Sequence, residues 1–372
     1  MKKLATNKFR VKLFEKFIGF ASALQKIPSK TTPPPFRLMQ IGSLFWQSRA
    51  LYVATKLGLA DIIGDVEKST QEIAAELNLH EEHLYRLLRM LGSLEIYEET
   101  SPRVFRNTKT SAFLRTDNPQ NVRAMILMHN SPVMTRPWME SLEESIRDGG
   151  VPFAKVHGVD LFTYMDQNKE FDLLFSQAMD AVENLTGSAY LEDFNWDAFD
   201  RIIDVGGSKG SKSIAILESF PSLKSLVFDR SQIIESAKSH WQGKVPDAVL
   251  ERMDFQSGNM FESLPEAVSN KDLYLFFAIF HGLNDEEATK VLTNLKLAMG
   301  KKKAGVMIVD NVAEEMHINP TTAAFDMQML IGTRGRERTL SEWQRLLGES
   351  GFGIVDVIDV RTFAKFIFVR EK

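Results

Sequence analysis

A chain of 372 residues is longer than one ordinary hydrophobic core supports, so two or three domains are expected. Its 44% hydrophobic and 25% charged residues are globular values, and a net charge of −4 argues against general nucleic-acid binding. The absence of cysteine excludes disulfides, thiolate zinc sites and cysteine nucleophiles, and no apolar run reaches the ~18 residues of a membrane span.

Residues 1–35 are expected to form a basic amphipathic arm and a proline-rich linker. Phe9, Leu13, Phe14, Phe17 and Ile18 fall near helical spacing among Lys8, Arg10, Lys12 and Lys16, and Thr31-Thr-Pro-Pro-Pro35 then acts as a stiff spacer. The start lacks the apolar segment and cleavage site of a secretory signal, so the expected location is the cytoplasm. The favoured resting place of the arm is a partner subunit. An acidic membrane surface is the weaker alternative, because Thr6, Asn7 and Glu15 interrupt the pattern.

Residues 36–120 read as a winged-helix-like module. The segment Leu44-Phe-Trp-Gln-Ser-Arg-Ala-Leu-Tyr-Val-Ala-Thr-Lys-Leu-Gly58 is a long apolar helix suited to a subunit interface. A short helix opens at Ser69 with Glu72 three residues on, and a second places Leu84, Leu87, Leu88 and Leu91 on one face. A hairpin is expected from Glu95 onward. DNA binding is disfavoured because Glu81-Glu82 stand where bases and phosphates would be met. Homodimerisation is the expected role. Residues 121–195 read as a helical connector rich in Met and aromatic residues, which is ordinarily core. The same composition suits a wall for a flat substrate, with Phe175 and Met179 one helical turn apart.

From residue 196 to 372 apolar strands and helices alternate: strands at 201–205, 225–229, about 249–255, 273–280 and 304–312, then a closing pair at 353–360 and 363–370. Alternation predicts a Rossmann-like parallel sheet with helices on both faces. The last pair, separated by Arg361-Thr362, permits only an antiparallel hairpin, which makes seven strands. The first strand runs Arg201-Ile-Ile-Asp-Val-Gly-Gly-Ser-Lys-Gly210, an acid followed by a glycine turn and a helix start. Asp229 ends the next strand, where an acid grips ribose hydroxyls. Gly-Gly-x-x-Gly suits a nucleoside-containing cofactor more than a dinucleotide.

Ligands in such sheets bind at the carboxyl ends of strands, where strand order reverses. If strand one neighbours strand four, His281 at the end of strand four stands beside the glycine turn, and Asp310 ends the next strand. Asn284 and Glu287 form a capping box that steadies the loop. An imidazole is the side chain for removing a proton at neutral pH. His80 and His83 have no further ligands in the pattern, and His129, His157, His240 and His317 form no metal-spaced cluster.

Five ordered segments carry a family resemblance. They are Leu51-Tyr-Val-Ala-Thr-Lys-Leu-Gly-Leu-Ala-Asp-Ile-Ile, Asp204-Val-Gly-Gly-Ser-Lys-Gly, Ser257-Gly-Asn-Met-Phe261, Ile279-Phe-His-Gly-Leu-Asn-Asp-Glu286 and Gly335-Arg-Glu-Arg-Thr-Leu-Ser-Glu-Trp343. From about Gln40 onward the chain resembles the class I S-adenosylmethionine-dependent O-methyltransferases, the group that includes plant caffeate-type, animal hydroxyindole and bacterial antibiotic-tailoring enzymes. The resemblance implies that Asp204, Gly206, Gly207 and Gly210 shape the methionine end of the cofactor site, Asp229 takes the ribose, and Asn259 and Met260 line the adenine. It implies His281 as general base, oriented by Asp310 and Glu337, and Trp138, Phe175 and Met179 facing a small, aromatic acceptor.

Five positions depart from the family pattern: Ser208 replaces a glycine, Asn259 an acid, Phe277 a lysine, Gly282 an aspartate and Leu283 a tryptophan. They leave open a homologue that binds cofactor or ligand without catalysis, or a tailoring enzyme with non-methyl chemistry. A nicotinamide dehydrogenase, which wants Gly-x-Gly-x-x-Gly, is the least favoured.

Overall fold

The computed structural model describes residues 8–17, 32–362 and 364–372, and the chain forms two compact units. The first helix, α1 (residues 8–17), belongs with Ser188–Lys372; the other unit is Ile18–Gly187.

Within Ile18–Gly187, α2 (Pro34–Leu57) stops at Gly58, which takes the left-handed φ of 70° and returns its N–H to Ala54 and Thr55. Helix α3 (Leu59–Ile63) and strand β1 (Lys68–Ser69) follow. Helix α4 (Thr70–Leu77) is opened by the expected Ser69–Glu72 capping box. Helix α5 (Glu81–Ser93) buries Leu84, Leu88 and Leu91, with Leu87 at the margin of the same cluster. Strands β2 (Tyr97–Ser101) and β3 (Val104–Asn107) form the hairpin, and β1 joins its β3 edge. Glu82 and Glu81, at the start of α5, hold Arg103 of the hairpin turn at 2.6 and 3.4 Å. The first half of α2 leaves Phe36, Leu38, Met39, Ile41, Leu44, Phe45 and Trp46 exposed on the single chain. Six helices complete this unit: α6 (Arg123–His129), α7 (Pro132–Glu140), α8 (Leu142–Asp148), α9 (Pro152–His157), α10 (Leu161–Gln167) and α11 (Lys169–Thr186). Met128, Met134, Phe153, Met165 and Phe171 form their buried centre.

The other unit is built on seven strands: β4 (Arg201–Val205), β5 (Lys224–Asp229), β6 (Met253–Ser257), β7 (Asp272–Phe277), β8 (Gly305–Asp310), β9 (Phe352–Asp359) and β10 (Lys365–Glu371). Their order is β6-β5-β4-β7-β8-β10-β9. The first five run parallel, and β10 inserts antiparallel between β8 and β9. Strand β8 is buried along its whole length, as befits a strand covered on both faces. One face carries α15 (Asp285–Met299) and α17 (Leu340–Glu349), burying Val291, Leu292, Leu295, Trp343 and Leu346. The other carries α12 (Ser211–Ser219) and α13 (Ser231–His240), with Tyr190, Phe194, Trp196 and Phe366. Two further helices, α14 (Asp247–Leu250) and α16 (Pro320–Gly332), lie in the connections.

Several strand boundaries differ from expectation, including β8, which spans Gly305–Asp310 rather than 304–312. The segment expected as strand from 249 is helical through Leu250, and β6 begins only at Met253. Strand β7 ends at Phe277 rather than 280, because Ala278 turns to a positive φ of 55°. His281 therefore sits in a separate single turn, Phe280–Gly282, and not directly on the strand end. The loop between β9 and β10 runs from Val360 to Ala364, longer than the two residues expected.

Candidate active site

Strand β4 neighbours both β5 and β7, so strand order reverses at its carboxyl end. The glycine turn leaves β4 there. Gly206 has a φ of 71°, which an L side chain rarely adopts, and a Cβ on it would also force the end of the Ile279 side chain to shift. Asp204 is buried below the turn. Its Oδ2 accepts from Ser213 Oγ at 2.7 Å, and a Cβ on Gly207 would lie 2.6 Å from its carboxyl carbon. Asp204 thus buttresses the turn from the protein side. Gly210 begins α12 and packs on Val227 and Met253. The carbonyl of Lys209 accepts from the Trp241 indole at 2.7 Å, a pin across the turn.

Asp229 ends β5 beside this turn. One carboxylate oxygen accepts from the N–H of Ser208 at 2.8 Å and the other from Arg230 at 2.7 Å. Burial pushes its carboxyl up, against those backbone donors. Each oxygen keeps a further lone pair. Past β6, Gly258 packs under the Phe228 ring. The Asn259 side chain is used within its own turn: Oδ1 accepts from Phe261 N–H and Nδ2 donates to Glu262. The Met260 carbonyl accepts from Asn294 at 2.9 Å, fixing the loop against α15. Phe277, at the end of β7, lies tilted against the Tyr190 ring and under the Lys212 ammonium, 4.6 Å from the ring centre.

Two strand ends away, His281, Asp310 and Glu337 converge. The His281 Nδ1 is 3.1 Å from Glu337 Oε1 and 4.0 Å from Asp310 Oδ1. Both carboxylates are buried, while about a quarter of the imidazole surface, 24%, stays open. Asp310 Oδ2 accepts from the N–H of Phe280 at 3.1 Å. Its Oδ1, and Oε2 of Glu337, accept no hydrogen bond among the described residues. Burial pushes the Asp310 carboxyl up to about 7, with the nearby imidazole pulling the other way. Burial also works against a charged imidazole, yet the Glu337 hydrogen bond and the Asp310 carboxylate outweigh it and hold His281 above its ordinary value.

Several supporting residues carry no recognisable signal in isolation. Arg338 is fully buried. It donates to the carbonyls of Phe280 and Leu283, both at 2.7 Å, and to Asp285 at 2.9 Å, clamping the loop that carries His281. Burial opposes ionisation of Asp285, but Arg338, Arg336 and Arg345 draw its carboxyl below the usual range. The N–H of Glu337 donates to Asp326 of α16 at 2.9 Å. Gly335 lies so close that a Cβ there would fall 1.9 Å from the His281 carbonyl. Arg338 and Gly335 stand inside the Gly335–Trp343 segment quoted above; Trp241 and Asp326 have no local motif at all. Trp138 (α7), Phe175 and Met179 (both α11) belong to the other unit. Phe175 packs on its buried centre with its ring 6.3 Å from Phe171, while Trp138 and Met179 are exposed at 36% and 41%.

A switch-point glycine turn, an acid ending the next strand and a histidine on two buried carboxylates are the features of a cofactor-dependent α/β transferase. A sequence profile described as "O-methyltransferase domain" matches residues 138–353, and one described as "O-methyltransferase dimerisation domain" matches 39–117. The chain belongs to this family of S-adenosylmethionine-dependent O-methyltransferases. It is 28% identical to a phenazine O-methyltransferase of Lysobacter antibioticus over 90% of this chain and 95% of that one. It is 29% identical to the phenazine-1-carboxylate N-methyltransferase of Pseudomonas aeruginosa over 87% and 93%, so relatives methylate nitrogen as well as oxygen. The crystal structure named LaPhzM superposes with a TM-score of 0.84 at 27% identity, covering 92% of this chain and all of that one.

The residues present fit the family's cofactor. Asp229 retains one acceptor lone pair on each oxygen for a vicinal diol, and the Gly206–Gly210 turn exposes backbone without side chains. The Asn259 side chain is bonded within its own turn and presents no carboxylate there.

Proposed function

We propose that the protein methylates a hydroxyl of a small, flat, aromatic acceptor, with His281 as general base. The observation that carries this reading is the 3.1 Å contact between His281 Nδ1 and buried Glu337. With Nδ1–H donating to that carboxylate, the ring lone pair sits on Nε2, which is the atom to take the acceptor's proton. Bound S-adenosylmethionine supplies an electrophilic methyl carbon on a positively charged sulfur. The chain's own contribution is alignment and one proton transfer. Asp229 and the Gly206–Gly210 turn hold the cofactor, Arg338 fixes the loop of His281, and His281 strips the hydroxyl as the oxygen becomes nucleophilic. Trp138, Phe175 and Met179 are assigned to the acceptor wall, on their aromatic and thioether character and partial exposure. The apolar first half of α2 is assigned to a homodimer interface.

Replacing His281 by alanine should lower kcat by roughly 10²- to 10⁴-fold while calorimetric affinity for S-adenosylmethionine stays unchanged. Undiminished turnover would remove the base. A second reading, ligand binding without transfer, draws on the locally spent Asn259 side chain. Failure of the purified chain to bind the cofactor at millimolar concentration would favour it. A product heavier by about 16 rather than about 14 mass units would indicate oxygen insertion.

A further inference from the structure

Helix α1 docks on its own unit by one face only. Val11 is buried at 4% exposure and Phe14 is half-buried, while Arg10 pairs with Glu192 at 2.9 Å. Glu192 is held in turn by Arg361 at 3.0 Å, which ties the helix to the Ala189–Asp193 turn. The opposite face carries Phe9, Leu13 and Phe17, exposed at 79%, 60% and 66%. Successive residues four apart advance by roughly 40° around a helix, so these three form one continuous stripe about 80° wide. Lys12 and Lys16 border it on one side and Arg10 on the other. The helix's single acid, Glu15, projects roughly 160° from the stripe's centre, on the side of Val11.

We infer that α1 is a docking face for an anionic lipid surface. A bulky apolar stripe with Lys12 and Lys16 along one edge, and Arg10 on the other shared with Glu192, is an arrangement that lies in a headgroup plane, with aromatic rings inserted and lysine stems reaching back to phosphates. Charge distribution over the whole chain favours the same occupant. Residues 1–30 hold eight Lys or Arg and one Glu, a net +7, so a chain total of −4 leaves −11 for the remainder. A negative bilayer therefore repels most of the molecule and attracts this segment, which sets one orientation of approach. A second copy of the chain is the competing occupant. It would have to cover three large apolar side chains while also meeting Lys12 and Lys16 along one edge. No helix among the described residues is long and apolar enough to cross a membrane, so attachment would be peripheral and reversible.

The test is co-sedimentation of the full-length protein with vesicles of pure phosphatidylcholine and with vesicles containing about 30 mol% phosphatidylglycerol. Partition should be at least about tenfold stronger onto the anionic vesicles and should collapse in about 0.5 M salt. The combined variant Phe9→Ser, Leu13→Ser, Phe17→Ser should lose that binding at least tenfold, yet keep methyl transfer and oligomeric mass unchanged. Equal or absent partition of the parent protein on both vesicles overturns the inference. So does undiminished binding by the variant. A variant that falls to a smaller oligomer by light scattering, from a parent that ignores vesicles, assigns the stripe to a second copy instead.

Discussion

Glu337 and Asp310 place two carboxyl groups within 4.0 Å of one nitrogen of the His281 imidazole. A general base works only when neutral. Because Glu337 and Asp310 hold the imidazole above its ordinary pKa, activity should climb with pH through a midpoint above about 6.5. Asp310, pushed up to about 7, shares that range, so the acidic limb reports the cluster as a whole. Glu337→Gln removes one negative neighbour while an amide oxygen can still accept from Nδ1. The imidazolium loses support, its pKa falls, and the acidic limb of kcat against pH should move to lower pH. The plateau should fall by roughly ten- to a hundredfold, because an amide stabilises the charged ring less than a carboxylate. A limb that stays in place, with only the plateau lowered, would mean that Glu337 orients the ring without tuning it.

The element that carries the base is a single turn with two backbone hydrogen bonds of its own, Gly282 N–H to Ile279 and Leu283 N–H to Phe280, and other elements hold it in place. Phe280 anchors it between Phe276 and Trp343, at ring separations of 5.1 and 5.9 Å, and Arg338 caps the carbonyls of Phe280 and Leu283. Arg338→Met keeps the stem but removes the guanidinium bonds to the carbonyls of Phe280 and Leu283 and to Asp285, which keeps Arg336 and Arg345. The cost should be on the order of 3 kcal/mol, because several buried hydrogen bonds to one charged group are lost together. By thermal melting the variant should lose several degrees, and kcat should fall while cofactor affinity holds, since Asp229 and the glycine turn do not touch Arg338. Equal losses in kcat and cofactor affinity would show instead a general loosening of the sheet. What was legible beforehand follows the same division. The parallel strands and capping boxes at Ser69 and Asn284 are local patterns, and both boxes form as read. The convergence of His281 and Asp310 was readable because strand order alone makes β7 and β8 neighbours. The bend at Ala278, the indole of Trp241 on Lys209 and the Asp326 contact to Glu337 are tertiary. Each joins residues whose spacing carries no period, so no window of sequence signals them. The expected strand at 249–250 failed for a related reason: two apolar residues after Pro246 serve equally as a helical turn packed on α12.

At the scale of the molecule, the chain divides into Ile18–Gly187 and the unit containing Ser188–Lys372, each with its own buried clusters. Every side chain assigned to the cofactor, and the base with its carboxylates, lies in the second. Ligand that binds a folded unit stabilises that unit by mass action, about 2.7 kcal/mol at a hundredfold excess over Kd, and stabilises another unit only as far as the two unfold together. Hydrogen exchange with saturating S-adenosylmethionine should therefore slow by up to about a hundredfold in the core amides of β4, β5 and β7, whose protection reflects global opening of their unit. The loops at 206–210 and 257–261 should be slowed as well, through direct cover of the backbone. Core amides of α4 and α5 should exchange as before. Equal slowing in α5 and β4 would show one cooperative body in which the methyl-donor site and the α2–β3 module unfold together. Slowing confined to Ile18–Gly187 would move the cofactor off the glycine turn altogether, and with it the argument from Asp229.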